Sequence, residues 1–254
     1  MIDLATFANP ARFARVAARV LPWAGGATAV LMAAGVFFAL IASPPDYQQG
    51  ESVRIMYVHV PSAWMALSSY TLLAAASAVA LVWRHPLADV AARAMAPIGA
   101  AFTFLCLVTG SLWGKPMWGA FWVWDARLTS VLVLFFLYLG YLALQNAFDD
   151  PSRGARASAI LALVGFVNVP IIKFSVDWWN TLHQPASIRL GGPTIDGSML
   201  LPLILMTLAF QAYFVTVLLL RMRTELVRRK LRSARLKQVE AAERLPGPAL
   251  GRPA

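Results

Sequence analysis

Apolar residues in this chain neither alternate at strand spacing nor keep to one face of a helix. They run on continuously and then stop. Six such runs, near 21–42, 61–83, 97–113, 128–147, 157–174 and 199–220, are separated by short segments that hold most of the charge. About 20 consecutive apolar residues carry a helix across a bilayer core. The pattern therefore predicts an all-α fold, a polytopic membrane bundle of six transmembrane helices. A transmembrane β-barrel is disfavoured, because its strands would read as ~10-residue alternating segments.

Composition agrees with this picture. The chain is 59% hydrophobic and only 13% charged, against roughly a quarter charged in soluble domains. Three regions are expected: residues 1–20 as a cytoplasmic interfacial helix carrying Arg12, Arg15 and Arg19, residues 21–221 as one six-helix membrane domain, and residues 222–254 as a basic tail. The tail reads as helix to about residue 245 and as disordered from 246.

A net charge of +10 raises the question of nucleic acid. With the N-terminus placed in the cytoplasm, 17 of the 22 Lys and Arg residues fall inside and 5 outside, in phase across every span. That is the positive-inside bias, so topology explains the charge without any nucleic acid. Both termini are expected in the cytoplasm, and the segments 43–60, 113–127 and 175–198 are expected outside.

The spans themselves are almost free of charge, and Asn168 and Gln211 are their notable amides. Ion and proton pathways need intramembrane ionisable groups, which weakens a secondary-transporter reading. Cys106, the one cysteine, has no partner for a disulfide or a Cys-x-x-Cys pair and reads as a small buried hydrophobe.

Candidate chemistry gathers on the outer side. Six of nine tryptophans, Trp113, Trp118, Trp122, Trp124, Trp178 and Trp179, lie at or beyond that boundary. An aromatic belt would decorate both interfaces, so the one-sided cluster points to a platform for a flat apolar ligand. Asp125 and Arg127 bracket the start of the fourth span. Asp125 either caps that helix or pairs with Arg127, whose guanidinium is alternatively a clamp for carboxylates. His85 is placed inside as a polar loop residue, whereas His59 and His183 are both placed outside, each followed two residues later by proline. Two imidazoles flanking an indole cluster suit axial ligation of haem iron. A two-histidine zinc site is the alternative, but it lacks an obvious third ligand.

Three separated segments, MYVHVPSAW at 56–64, WGAFWVWDARLTS at 118–130 and WWNTLHQP at 178–185, together resemble the haem exporter protein C (CcmC) family of cytochrome c maturation. The resemblance covers roughly residues 50–220. It implies axial ligation of haem b, held non-covalently, by His59 and His183. It further implies a haem platform formed by Trp113, Trp118, Phe121, Trp122, Trp124, Asp125 and Arg127. The implied partners are the periplasmic haem chaperone CcmE, the ABC transporter subunits CcmA and CcmB, the small membrane protein CcmD and the lipid bilayer, and the implied location is the bacterial inner membrane. Phe121 stands where the family pattern has tryptophan, and Val131 where it often has glutamate. No acid–base pair stands out, so the expected role is holding and delivering haem rather than catalysing a reaction. The rivals are a b-type membrane cytochrome and a haem or small-molecule transporter subunit.

Overall fold

A computed structural model gives the fold and describes residues 9–179, 181–183, 188–189 and 191–243. Residues 1–8 of the expected interfacial helix, Gln184 and Pro185 after His183, and the tail from 244 onward lie outside the described residues.

Helix α1 (Pro10–Phe37) begins at Asn9, whose side chain accepts the N–H groups of Ala11 and Arg12 at 2.9 and 3.2 Å, with Pro10 in the first turn. It closes in a π turn, Phe38–Ala42. The expected junction between an interfacial helix and a span near residue 20 is absent, and the helix runs through Pro22 unbroken. Packing along the last helix supports it. Gly35 lets Met206 close on the backbone, and Thr28 meets Thr216 at 3.1 Å.

A 3-10 turn, Glu51–Ile55, leads into α2 (Met56–Trp83), which stops where Arg84 turns left-handed at φ 50°. His85 then caps α3 (Pro86–Trp118), its imidazole accepting the Ala88 N–H at 3.2 Å. The sequence assigned His85 only a loop position. α3 continues past the expected end at 113 to Trp118, so the outer segment contracts to 119–125. Helix α4 (Ala126–Leu144) follows its cap, Asp125. The fifth span is two helices, α5 (Pro151–Gly165) and α6 (Asn168–Trp178). Pro170 explains the interruption: it has no N–H to return to Phe166, whose carbonyl takes the Val169 N–H at 3.0 Å.

A two-residue ladder, β1 (Ile188–Arg189) with β2 (Gly192–Pro193), precedes α7 (Gly197–Glu243). α7 is one continuous helix of 47 residues, about 70 Å long at ~1.5 Å per residue. The basic tail therefore begins as a rigid extension of the last span. Six helical segments among the described residues are long and apolar enough to cross a membrane.

Close packing of small and aromatic residues holds the middle of the bundle. Tyr138 of α4 lies against Gly99 of α3, where a Cβ would collide with the phenol, and donates to the Ala66 carbonyl of α2 at 2.9 Å. Its ring meets Tyr70 edge-on at 5.0 Å. Lipid offers little hydrophobic drive between spans, so small-residue contacts and interhelical hydrogen bonds carry the packing. A second cluster, with Tyr57, Phe102, Leu203, Met206 and Phe210, fuses α2, α3 and α7. It fixes the start of α2 against the end of α3, which is where the first histidine sits.

Candidate functional site

His59 lies in the first turns of α2 and faces α3. Its Nδ1 is 3.1 Å from both the Cys106 carbonyl oxygen and Thr109 Oγ1. A carbonyl only accepts, so the proton belongs on Nδ1 and Nε2 carries the lone pair. Thr109 reinforces this assignment, because its hydroxyl donates back to Leu105 at 2.7 Å and offers lone pairs to the imidazole. Space for the ring depends on Gly110, where a Cβ would come within 2.9 Å of Cε1. Trp113, one turn further, meets the imidazole edge-on at 5.7 Å and donates its indole N–H to Gln49 at 2.9 Å.

His183 is in the loop after α6, and its tie to the bundle is Asp125. That carboxylate is split between two tasks. Oδ1 accepts the Leu128 N–H at 2.7 Å and caps α4, while Oδ2 accepts from the Thr181 hydroxyl and lies 3.2 Å from His183 Nδ1. A carboxylate acceptor again places the proton on Nδ1 and leaves Nε2 as the bare nitrogen. Burial pushes the Asp125 carboxyl up, but hydrogen bonds from Thr181 and Leu128, with His183 adding attraction, bring it net below its ordinary value. Burial pushes His183 down from 6.5, and the pull of Asp125 only partly opposes it. At neutral pH the carboxylate is therefore charged and the imidazole neutral.

The two histidines, far apart in sequence, lie within electrostatic range of each other and of Arg127. Arg127 is not ion-paired to Asp125. Its Nε donates to Ser175 Oγ at 3.1 Å, and Nη2 reaches the carbonyls of Ile172 and Lys173 at 3.4 Å, tying α4 to α6. Of the two readings for Asp125, capping holds and pairing with Arg127 does not.

The aromatic residues divide. Trp118 meets His183 at 5.0 Å, lying back over Gly114 before Gly119, at φ 77°, turns the chain. Trp122 and Trp124 meet edge-on at 5.5 Å. Trp124 is 75% exposed, whereas the Trp122 indole N–H is buried without a partner. Phe121 is exposed, with the Lys115 ammonium 5.3 Å from its ring centre. Trp178 and Trp179 are half-exposed, the former stacked on Phe174. Val131, where the resemblance led one to look for glutamate, packs among the apolar residues of α4 and its neighbours.

Sequence reasoning missed Thr109, Thr181, Ser175 and Gln49. Thr181 alone left a local signal, two residues before His183 and in a position to hydrogen-bond it. Among the described residues no three His, Cys, Asp or Glu side chains converge as a metal group.

Fold and site together define a polytopic helical membrane protein that presents two oriented imidazoles and an indole cluster at one end of its bundle. A family profile described as heme exporter protein C matches residues 3–237. A heme exporter protein C of Bradyrhizobium diazoefficiens is 60% identical over 239 residues, 94% of this chain and 89% of the relative. Its counterpart in Haemophilus influenzae is 52% identical, across 87% and 91% of the two chains. A putative cytochrome c biosynthesis ccmC-like mitochondrial protein of Marchantia polymorpha is 50% identical, across 73% and 78%. The chain belongs to the heme exporter protein C family.

Proposed function

We propose that this protein holds haem b between His59 and His183 at the periplasmic face of the bacterial inner membrane, and presents it to the haem chaperone CcmE during cytochrome c maturation. The observation that carries the reading is the matched state of the two imidazoles. Each has Nδ1 committed to an acceptor and Nε2 left as a bare donor atom. The names of the relatives support haem export or cytochrome c maturation as the setting, and the positive-inside charge pattern supports a periplasmic site.

Haem is cargo in this reading. Its iron offers two axial positions, and its ring offers large apolar faces with carboxylates at one edge. His59 sits on a rigid helix and fixes one side. His183 sits on a loop tethered through Asp125, so it is the ligand able to withdraw on transfer. Trp113 and Trp118 buttress the two imidazoles, and Trp122 and Trp124 add apolar cover. The unpartnered Trp122 N–H suits an acceptor on the cargo. Arg127 supplies a fixed positive charge near both histidines, where carboxylates are to be accommodated. The remaining partners in this assignment are CcmA, CcmB and CcmD.

The test is the absorbance spectrum of detergent-purified protein loaded with hemin. His59→Ala and His183→Ala are each expected to lose the six-coordinate bis-histidine signature. His85→Ala should keep it while losing about 1 kcal/mol of stability from the missing cap. An unchanged spectrum in either of the first two variants would remove that histidine from the iron.

A further inference from the structure

We propose that the seam between α3 and α7, at the end of the bundle away from the two histidines, is a binding site for one anionic glycerophospholipid. The headgroup would rest on Arg221 and Arg228, and an acyl chain would lie along the apolar groove beyond them.

Two cavities share Arg221. One, of about 380 Å³, is lined by Pro97, Ile98, Ala101, Phe102 and Leu105 of α3, by Phe210, Tyr213 and Val217 of α7 and by Met32 of α1, with Arg221 at its mouth. The other, of about 270 Å³, is polar and includes Arg93, Gln145, Arg221, Thr224, Glu225 and Arg228. On both helices the lining positions follow one another at helical spacing, so the two cavities lie end to end along a single seam. The stretch from Phe210 to Arg221 rises about 16 Å at ~1.5 Å per residue, roughly half of a ~30 Å hydrocarbon core. An apolar trough one leaflet deep, closed at the interface by a guanidinium, matches one arm of a phospholipid. Exposure of Ala101 and Tyr213 opens it to the bilayer.

Charge at the polar end selects the headgroup. Glu225 is buried and is met by Arg93 and Arg228 at 3.4 Å and by Arg229 at 2.9 Å, and Asp89 takes Arg229 at 2.6 Å. Four arginines, counting Arg221, thus face two carboxylates, and the cluster keeps an excess of two positive charges. Arg221 forms no ion pair among the described residues. Gln145 lines the same cavity, with its Nε2 committed to Tyr141 at 2.9 Å and its Oε1 buried without a partner. That oxygen calls for a donor. A phosphoglycerol headgroup has a phosphate for the guanidiniums and hydroxyls for the amide, whereas phosphatidylcholine has no hydroxyl and cancels its own charge.

The experiment uses the full haem-loaded protein, delipidated in detergent and titrated with dioleoyl-phosphatidylglycerol, dioleoyl-phosphatidylcholine or inorganic phosphate. Bound lipid is counted by native mass spectrometry, and the Soret band is followed in parallel. Wild type is expected to retain one phosphatidylglycerol in preference to phosphatidylcholine by at least tenfold, with the Soret band unmoved. The double variant R221Q/R228Q should lose that preference. Ala101→Trp should lose the lipid while keeping every arginine, which separates the trough from general surface charge. Equal retention of both lipids, or unchanged retention in the double variant, overturns the proposal. So does occupancy by inorganic phosphate alone, which would make this a free-anion site. A wild type that retains no lipid until a partner's membrane helix is supplied would make the seam a protein interface and overturn it equally.

Discussion

Replacing Asp125 by asparagine changes one atom of the site and tests how the second imidazole is prepared. The carboxylate serves two donors at once: Oδ1 takes the Leu128 N–H at 2.7 Å, and Oδ2 faces the Thr181 hydroxyl and His183 Nδ1. An amide has a single oxygen. If that oxygen keeps the cap, which asparagine does as well as aspartate, an NH2 group faces His183 and the imidazole must become the acceptor. Its proton then moves to Nε2, the atom proposed to face the iron. If the oxygen turns towards His183 instead, the NH2 group opposes the Leu128 N–H and the cap is lost. Loss of an outer partner of a metal-bound histidine costs roughly 10–100-fold in affinity, equivalent to about 1.4–2.7 kcal/mol. Hemin titration followed at the Soret band is expected to show a loss of that size for Asp125→Asn, with little change in apo melting temperature. Asp125→Ala should add about 1 kcal/mol of destabilisation from the missing cap. Wild-type affinity and spectrum in the asparagine variant would reduce Asp125 to a helix cap and refute the tautomer argument.

Two further outcomes can be measured on the same preparations. Trp122→Phe removes a buried N–H that has no partner, so the apo protein should be unharmed or stabilised, by up to about 1–3 kcal/mol, while hemin binding weakens by roughly tenfold. Equal affinity in wild type and variant would mean that this N–H does not meet the cargo. Acid should release hemin. Burial holds His183 below 6.5, so its neutral form dominates at pH 7, and this contribution to apo stability, complete above about 6.5, is lost as pH falls through the lower folded value. Hemin affinity should be level from pH 8 to 6.5 and fall below that, and an affinity that declines steadily from pH 8 would contradict the assignment.

Much of the fold was legible because hydropathy reports membrane spans directly. A continuous apolar run can satisfy its backbone in lipid only as a helix, and the runs needed no tertiary information to be counted. What failed were the edges. The outer segment was expected from 113, yet α3 runs on through Gly114 and Pro116 and ends only at Trp118. Proline and glycine punctuate soluble helices more firmly than membrane ones, where neighbouring helices supply the missing bonds. The first helix likewise runs through Pro22 without a break. The break before Pro170 was not anticipated, because the span is as apolar at 166–167 as an unbroken one.

The candidate site was legible to the extent that sidedness alone could sort residues. Charge phase placed His59 and His183 together and His85 apart, and the indole cluster between them was visible as composition. Sequence gave no access to the groups that orient the ligands, since most are unremarkable in sequence: a helical carbonyl at Cys106 and the hydroxyls of Thr109 and Thr181. Their role depends on the rotational register of α2 against α3, and one residue of slip would swing His59 by about 100° away from both partners. That register is set at a distance, by Tyr57, Phe102 and Phe210 in the cluster joining α2, α3 and α7 and by Tyr138 seated on Gly99. The chemistry of the first imidazole thus depends on packing within the bundle. The second depends on a single carboxylate, which also starts the helix that follows it. The helix-borne imidazole and the tethered imidazole are therefore built by different physics. A mutation that loosens the α2–α3 seam should degrade His59 without touching His183, whereas one at Asp125 or Thr181 should do the reverse.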